Sequence, residues 1–549
     1  MTEHEELLRL RREIEEKEGI IKKQDARIEQ QNAKIKAQEI QIENMIQALL
    51  HARKKMFGAS TETTQVDGQL SLFDNVTDLA NGLFEDQKKI TVKDYTRTPR
   101  KPGIRKEMLE SLPQEVEEYV IPSEEVCNRC GAPLKVIGKK IVRTEVEYKP
   151  AKLVVKQIVQ EIAKCTKCGT EEGEYPNDHF QKAAVPIPVL PHSIATSSLV
   201  AQIWNQKFAL GLPFSRQERD YDRLGLVLSR RNMANWTIRC SEQWLEPLYQ
   251  RMHECLIGDC EVLHMDETRI QCNKEKGRKA SSESYMWVIR SAACETETQG
   301  VFFHYSRSRK REIARELLQG FEGYVTCDAY IGYDKLDHIK RNLCWSHVRR
   351  YYMDAIPLDK NGKEIPGSKG QEGREYINLL FKVEREIKDL SYEEKKKKRQ
   401  EASRPILDAF WSWVEKTSAL STTNEKLTKA LTYTTNQKPW LETFMEDGRL
   451  PISNNLCEAN IKPFATARRA WLFADTPKGA KANAILYTLV ESARINKLDT
   501  YEYLKYLLEE MPNNDYLNHP EILDRYLPWS KELPEKCRLR SKKEKCLKK

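Results

Sequence analysis

A multidomain α/β protein, with a helical rod and a small metal-knuckle module ahead of its core, is predicted by three observations. A strict heptad seam fills roughly the first fifty residues. Two Cys-x-x-Cys pairs follow in the next stretch, and from Cys260 onward apolar strand-like runs alternate with helical ones. A chain of 549 residues exceeds what one hydrophobic core organises, so roughly three or four units are expected.

The rod comes first. Leu7, Ile14, Ile21, Ile28, Ile35, Ile42 and Leu49 recur every seven residues without a slip, which marks one seam of a coiled coil over residues 1–52. The second seam is poor (Leu10, Lys17, Gln24, Gln31, Gln38, Met45) and Gly19 weakens the helix by about 1 kcal/mol. Self-association through this helix, giving a homo-oligomer, is the expectation; a long helix packed on its own chain is the alternative. Residues 53–112 lack apolar periodicity, carry Gly, Asp, Thr and Pro, and are basic from Lys88 to Lys106, so they read as a flexible basic connector.

The knuckles are Cys127-Asn-Arg-Cys130 and Cys165-Thr-Lys-Cys168, with Val-, Ile- and Tyr-rich sequence between them over Lys135 to Gln160. Four thiolates at this spacing fit one tetrahedral structural Zn²⁺, closing a zinc ribbon over residues 113–182 and leaving no open position for chemistry. The other ten cysteines are scattered, as buried thiols of a reducing compartment are. No stretch approaches the ~18 apolar residues of a membrane span, and the charged N-terminus lacks the apolar core of a signal peptide. An intracellular protein with no membrane partner is therefore expected.

Residues 193–256 read as helices. Leu212-Pro-Phe-Ser opens one, Gly225-Leu-Val-Leu makes a turn, and Ser229 N-caps Arg230-Arg231-Asn232-Met-Ala-Asn-Trp236. That order resembles a helix-turn-helix, in which Arg230, Arg231 and Asn232 would meet duplex DNA; a purely structural helix pair is the alternative.

In the core, Glu261–Met265, Ser284–Ser291, Gly300–Tyr305, Gly323–Cys327 and Arg341–Cys344 are candidate strands, with helices at Arg309–Gln319 and Trp345–Asp354. Three strands, a helix and a further strand is the order of a ribonuclease-H-like sheet, in which the first and fourth strands lie side by side. Asp266 and Asp328, each closing an apolar run, would then be neighbours. The first part of this core spans 260–356, a charged helical insertion spans 357–449, and the last part (450–498) brings Glu458 on a helix. Residues 499–549 add helical sequence and a basic tail. Three such carboxylates can hold two divalent cations about 3.5–4 Å apart, a phosphodiester-cleaving arrangement. Magnesium or manganese suits it because oxygen ligands leave exchangeable waters. Adjacent side chains on a strand point to opposite faces, so only one of Asp266 and Glu267 is expected in the site, with Asp266 favoured. Asp334 and Asp337 compete with Asp328, and Glu491 competes with Glu458. The net charge of +9 is modest. The basic runs Lys88–Lys106, Lys395–Arg399 and Lys536–Lys549 point more clearly to a polyanionic partner. A glycosidase built on Asp266 and a second acid would not explain the knuckles or those runs.

Taken in order, these motifs resemble bacterial insertion-sequence transposases of family sixty-six, a branch of the DDE transposases. The resemblance runs from the coiled coil and Lys54-Lys-Met-Phe-Gly58 through the knuckles, His264-Met-Asp-Glu-Thr268, Cys327-Asp-Ala-Tyr-Ile-Gly-Tyr333 and Cys344-Trp-Ser-His-Val-Arg-Arg350. It continues through Asn454-Asn-Leu-Cys-Glu458, Ile461-Lys-Pro463 and Arg468-Arg-Ala-Trp-Leu-Phe473. It implies that Asp266, Asp328 and Glu458 are the metal-binding catalytic triad of an enzyme that cleaves and transfers DNA strands, in a bacterial cytoplasm and at the nucleoid. It also implies transposon terminal repeats and target DNA as double-stranded partners, and small accessory proteins of the same element. Where the family usually carries Arg after its glutamate and before its Pro, this chain has Ala459 and Lys462, which removes one phosphate contact. Arg349, Arg350, Lys462, Arg468 and Arg469 are the remaining candidate DNA contacts, with Trp471 either core or a base-stacking platform. The alternative function is a non-catalytic, zinc-containing DNA-binding regulator.

Overall fold

The computed structural model describes residues 3–57, 153–164, 180–420 and 422–539. The zinc-ligand candidates Cys127, Cys130, Cys165 and Cys168, most of the connector and the last ten residues lie outside the described residues. The chain divides into two compact units, residues 63–186 with 539–549, and residues 1–62 with 187–538.

In the first unit, β1 (Ile162–Lys164) pairs antiparallel with β2 (Phe180–Lys182). The alternating sequence just before it, Leu153–Gln160, is exposed and forms no strand, because pairing begins only where β2 lies opposite.

In the second unit, α1 (Glu3–Phe57) is one continuous helix that runs five residues past the boundary read from the seam. Ile28, Ile35, Ile42 and Leu49 of that seam are exposed. Near its end, Gln47 exchanges two hydrogen bonds with the Leu358 backbone (2.9 and 3.2 Å), and a ring nitrogen of His51 meets the Ile356 carbonyl at 2.9 Å. The helix therefore also rests on its own chain.

Four helices precede the sheet: α2 (Ser197–Trp204), α3 (Phe214–Arg223), α4 (Arg230–Cys240) and α5 (Glu246–Asp259). The Ser229 hydroxyl accepts from the Asn232 amide at 3.2 Å, the cap its position called for. Arg230, Arg231 and Asn232 are exposed at that helix start.

Five strands form the sheet: β3 (Val262–Gln271), β4 (Glu283–Ser291), β5 (Val301–Ser306), β6 (Gly323–Cys327) and β7 (Ile339–Leu343). Their spatial order is β5-β4-β3-β6-β7. β4 is antiparallel to both β3 and β5, whereas β6 is parallel to both β3 and β7. Two helices lie in this stretch, α6 (Arg311–Leu317) after β5 and α7 (Trp345–Asp354) after β7.

The insertion supplies α8 (Lys369–Glu386), α9 (Tyr392–Lys398), α10 (Arg404–Ser418) and α11 (Glu425–Leu441). Their aromatics close around Trp345, which meets the rings of Phe410, Trp411 and Phe444 at 5.7, 6.2 and 6.4 Å. The basic run in this insertion needs a correction. Arg399 is buried, bound by both oxygens of Glu384 and by the carbonyls of Phe444, Asp447 and Leu450. It ties the insertion back to the core, and only the lysines before it remain for a polyanion.

The chain returns through α12 (Asn455–Trp471), the largely buried α13 (Pro477–Ile495) and α14 (Thr500–Glu510). Thr488 and Ser492 of α13 accept the Phe303 and Val301 amides at 2.8 and 2.9 Å, which covers the open edge of β5.

Candidate active site

The apolar start of β3 (Val262, Leu263, His264 and Met265, all buried) seats the strand at the centre of the sheet. Its parallel pairing with β6 ends at His264 opposite Thr326, but its antiparallel pairing with β4 continues to Gln271. Asp266 therefore does not end the strand, as its position after an apolar run suggested. It sits in mid-strand, opposite Val288 of β4, just where β6 stops pairing. Asp328 immediately follows β6 and takes the Tyr330 amide on Oδ1 at 2.9 Å. Both acids thus stand at the carboxyl ends of two neighbouring parallel stretches, where open α/β sheets present their ligand crevices.

Glu458 occupies the first turn of α12, and three contacts fasten that turn to the sheet. The Asn454 side chain joins His264 Nδ1 at 2.8 Å and donates to the Met265 carbonyl at 3.1 Å. Arg290 of β4 donates to the Leu456 carbonyl at 2.9 Å. An amide oxygen only accepts, so His264 donates through Nδ1, and its complete burial favours the neutral ring. Burial lowers its pKa to about 4, in keeping with that state; the bond to Asn454 acts against the shift and Arg290 adds to it. His264 and Asp266 are two apart on one strand, so the face that receives α12 is also the face of Asp266.

The electrostatics of this face are those of crowded acids. Burial first, then the negative charges of Glu267, Asp328 and Glu458, push Asp266 up to about 8. Glu458 Oε1 is buried with no hydrogen-bond partner among the described residues. Oxygen donors that repel one another, one of them orphaned, suit a hard divalent cation, although the oxygens of these three acids do not all lie within 4.8 Å of one another.

Glu267 faces the other way and is satisfied there. Its side chain is buried, paired with Arg309 and accepting the Tyr333 hydroxyl. Arg309 stacks 3.8 Å from the Tyr330 ring and reaches to 4.0 Å of Asp328 Oδ2, so it screens the site from one side. The other competing acids are accounted for as well. Asp334 pairs with Arg341, Asp337 is exposed, and Glu491 is buried against Arg494 (2.9 Å) and Asn460 (3.1 Å).

Beside Glu458 lie Cys344 and His347 of the α7 start; one ligand atom from each of the three lies within 4.8 Å of the others. Burial pushes the Cys344 thiol up to about 11.

The candidate DNA contacts divide. Lys462 and Arg469 are exposed on α12 beyond Glu458, and Arg468 is half-buried. Burial lowers the Arg468 pKa, and the like charges of Arg469 and Arg269 add to it, so three guanidinium groups share one neighbourhood. Arg349 and Arg350 are both half-buried, and Arg349 is bonded to Asn378 (2.8 Å) and Met353 Sδ (3.0 Å). Trp471 packs edge-on against Phe464 at 5.8 Å, with the Lys207 ammonium 5.7 Å from its ring, and so belongs to the core.

Sequence reasoning missed Asn454, His264, Arg309 and Tyr333. A signal existed for the first two: Asn454 precedes Glu458 by one helical turn and His264 precedes Asp266 by two residues, both within quoted motifs.

Residues 192–482 match the signature described as "Transposase IS66 family". The chain belongs to that family. Residues 124–169 match its zinc-finger binding domain, which brackets all four knuckle cysteines, and residues 47–116 match "Transposase C of IS166 homeodomain", across the stretch read as a connector. Two similar relatives are proteins of Sinorhizobium fredii named only as uncharacterized. One, y4jD, is 26% identical over 88% of this chain and 93% of its own length. The other, y4hP, is 25% identical over 89% of this chain and 88% of its own length. Among solved structures, the Drosophila P element transposase strand transfer complex aligns at 16% identity over 61% of this chain and 87% of the other, with a TM-score of 0.22, too low to bear on the fold. No helix among the described residues is long and apolar enough to cross a membrane.

Proposed function

We propose that this IS66-family transposase cuts and joins DNA at the ends of its insertion sequence, with Asp266, Asp328 and Glu458 as the catalytic acids of a ribonuclease-H-like core. The observation that carries this reading is that Asp328 and Glu458 both act on Asp266 through their charge. The three acids come from β3, the end of β6 and α12, yet they share one face on which Asp266 is pushed up to about 8 and a Glu458 oxygen is buried without a partner. The sheet order, with the first strand of the core beside the fourth, supports the fold assignment.

Asp266, Asp328 and Glu458 would hold a pair of Mg²⁺ or Mn²⁺ ions. When bound, such a pair activates the attacking oxygen and stabilises the leaving oxygen of an in-line displacement. The chain's own groups do the rest. Asn454 and His264 hold the Glu458 helix against β3. Arg309 and Tyr333 keep Glu267 turned away, so that the carboxylates in the site are the intended ones. Lys462, Arg468, Arg469 and Arg269 supply a positive rim for the phosphates on either side of the scissile bond. Water first cleaves the phosphodiester, and the freed 3′-hydroxyl then attacks target DNA.

Arg230, Arg231 and Asn232 are the proposed end-recognition residues of the helix pair α3–α4. Cys127, Cys130, Cys165 and Cys168 would hold one structural Zn²⁺. The exposed heptad seam of α1 is the proposed contact between copies, pairing two active sites on two ends. The test is incubation of purified protein with a duplex carrying the element's own terminal repeat, with its small accessory proteins added or withheld. Mg²⁺-dependent nicking at the element boundary is expected. Binding without nicking under every divalent cation would favour the non-catalytic regulator.

A further inference from the structure

The first residue of interest is a cysteine that the triad does not use. Cys344 stands at the N-cap of α7 and is 1% exposed. The Asn454 amide donates to Sγ at 3.1 Å. Beside the sulfur lie an imidazole from His347, three residues on along the same helix, and the Glu458 carboxylate from α12. Sulfur, nitrogen and oxygen donors within 4.8 Å of one another, drawn from two elements locked together by the Asn454 amide, form a set that hard cations do not seek.

We infer that Cys344, His347 and Glu458 form a second, mixed-donor site for a borderline divalent cation of the zinc class, separate from the ribbon and touching the acid triad only through Glu458. Three protein ligands leave one coordination position open, as in zinc sites that bind water or a substrate atom rather than purely structural ones. Cation binding displaces the thiol proton to solvent and leaves Sγ as thiolate, with the Asn454 amide already donating to it.

The experiment uses the full-length protein, loaded with zinc so that the ribbon is filled, and titrated with Co²⁺ in the absence of DNA and Mg²⁺. Cobalt bound beyond the ribbon zinc should give thiolate-to-cobalt charge-transfer absorption, which cobalt held by carboxylates alone does not give. Cys344→Ser should abolish that band. His347→Gln, at a half-buried position, should weaken cobalt binding about tenfold or more, as loss of a ligand exceeds the loss of an outer partner, and it reports independently if Cys344→Ser proves unstable. The paired substitution of Cys127 and Cys130 by Ser should leave the band in place. Absence of the band from the wild-type protein, or a band that survives Cys344→Ser, overturns the inference. Because the readout is free of DNA and of catalysis, either result stands apart from whether the acid triad cleaves DNA.

Discussion

Replacing Asn454 with Ala removes a side chain that spans two buried partners, His264 Nδ1 at 2.8 Å and the Met265 carbonyl at 3.1 Å. Neither has water to turn to, since both His264 and Met265 are fully buried. His264 Nε2 already lacks a partner, so the imidazole would be left with none at all. A buried polar group stripped of its partner costs about 1–3 kcal/mol, and two such groups put the loss at about 2–6 kcal/mol. Against a usual total of about 5–15 kcal/mol this is a large fraction. The assay is urea unfolding followed by tryptophan fluorescence, with Trp287 and Trp345 buried in the same unit as reporters. At a slope near 3 kcal/mol per M, the midpoint should fall by about 0.7–2 M. His264→Leu in the Asn454→Ala background should cost about 1–3 kcal/mol less than in the wild type, because its partner is already gone. A midpoint within about 0.2 M of wild type, or strictly additive losses, would refute the claim that this pair fastens α12 to β3.

Other expectations follow from the same face. Asp266 is pushed up to about 8 from an ordinary 3.8, so in metal-free protein the folded state keeps a proton that the unfolded state has lost across that range; stability therefore falls as pH rises through it and levels off above about 8. Mg²⁺ competes with that proton, so the rise in melting temperature on adding Mg²⁺ should grow between pH 6 and 8 and flatten in Asp266→Asn; a shift independent of pH counts against the assignment. Glu267→Gln breaks the buried end of the Arg309 pair and should lower stability by less than the ~3–5 kcal/mol of a fully buried pair, because Arg309 is partly solvated. At permissive temperature it should still nick DNA; if it is inactive while Asp266→Asn cuts, the two acids have been assigned the wrong way round. Deleting residues 1–50 should lower the mass measured by light scattering, and an unchanged mass would assign the helix to its contacts with Leu358 and Ile356 instead.

Much of this was legible because local chemistry repeats on short scales. The Ser229 cap, the Trp345–Asp354 helix and the Gly323–Cys327 strand were all readable from capping residues and period. What failed was information carried by partners distant in sequence. Asp266 looked like a strand end because its apolar run stops there, yet β4 goes on pairing with the polar residues beyond it. Arg399 looked like one more solvated cation in a basic run, and nothing local announces that Glu384 and three carbonyls enclose it. Glu267 and Asp266 were separable by strand alternation alone, but the reason Glu267 is occupied, Arg309 and Tyr333, lies about forty and sixty residues away. Arg349 is a candidate phosphate contact from its motif, and nothing local announces its bond to Asn378 of the insertion.

The most direct measurement is cleavage of the element's own terminal repeat by three single variants, Asp266→Asn, Asp328→Asn and Glu458→Gln, with DNA binding measured in parallel. Loss of a ligand charge weakens cation capture while the arginines and lysines that meet phosphate are untouched. Each variant should therefore lose Mg²⁺-dependent nicking and bind the repeat within a few-fold of wild type. Nicking that persists in any one of the three would contradict the triad.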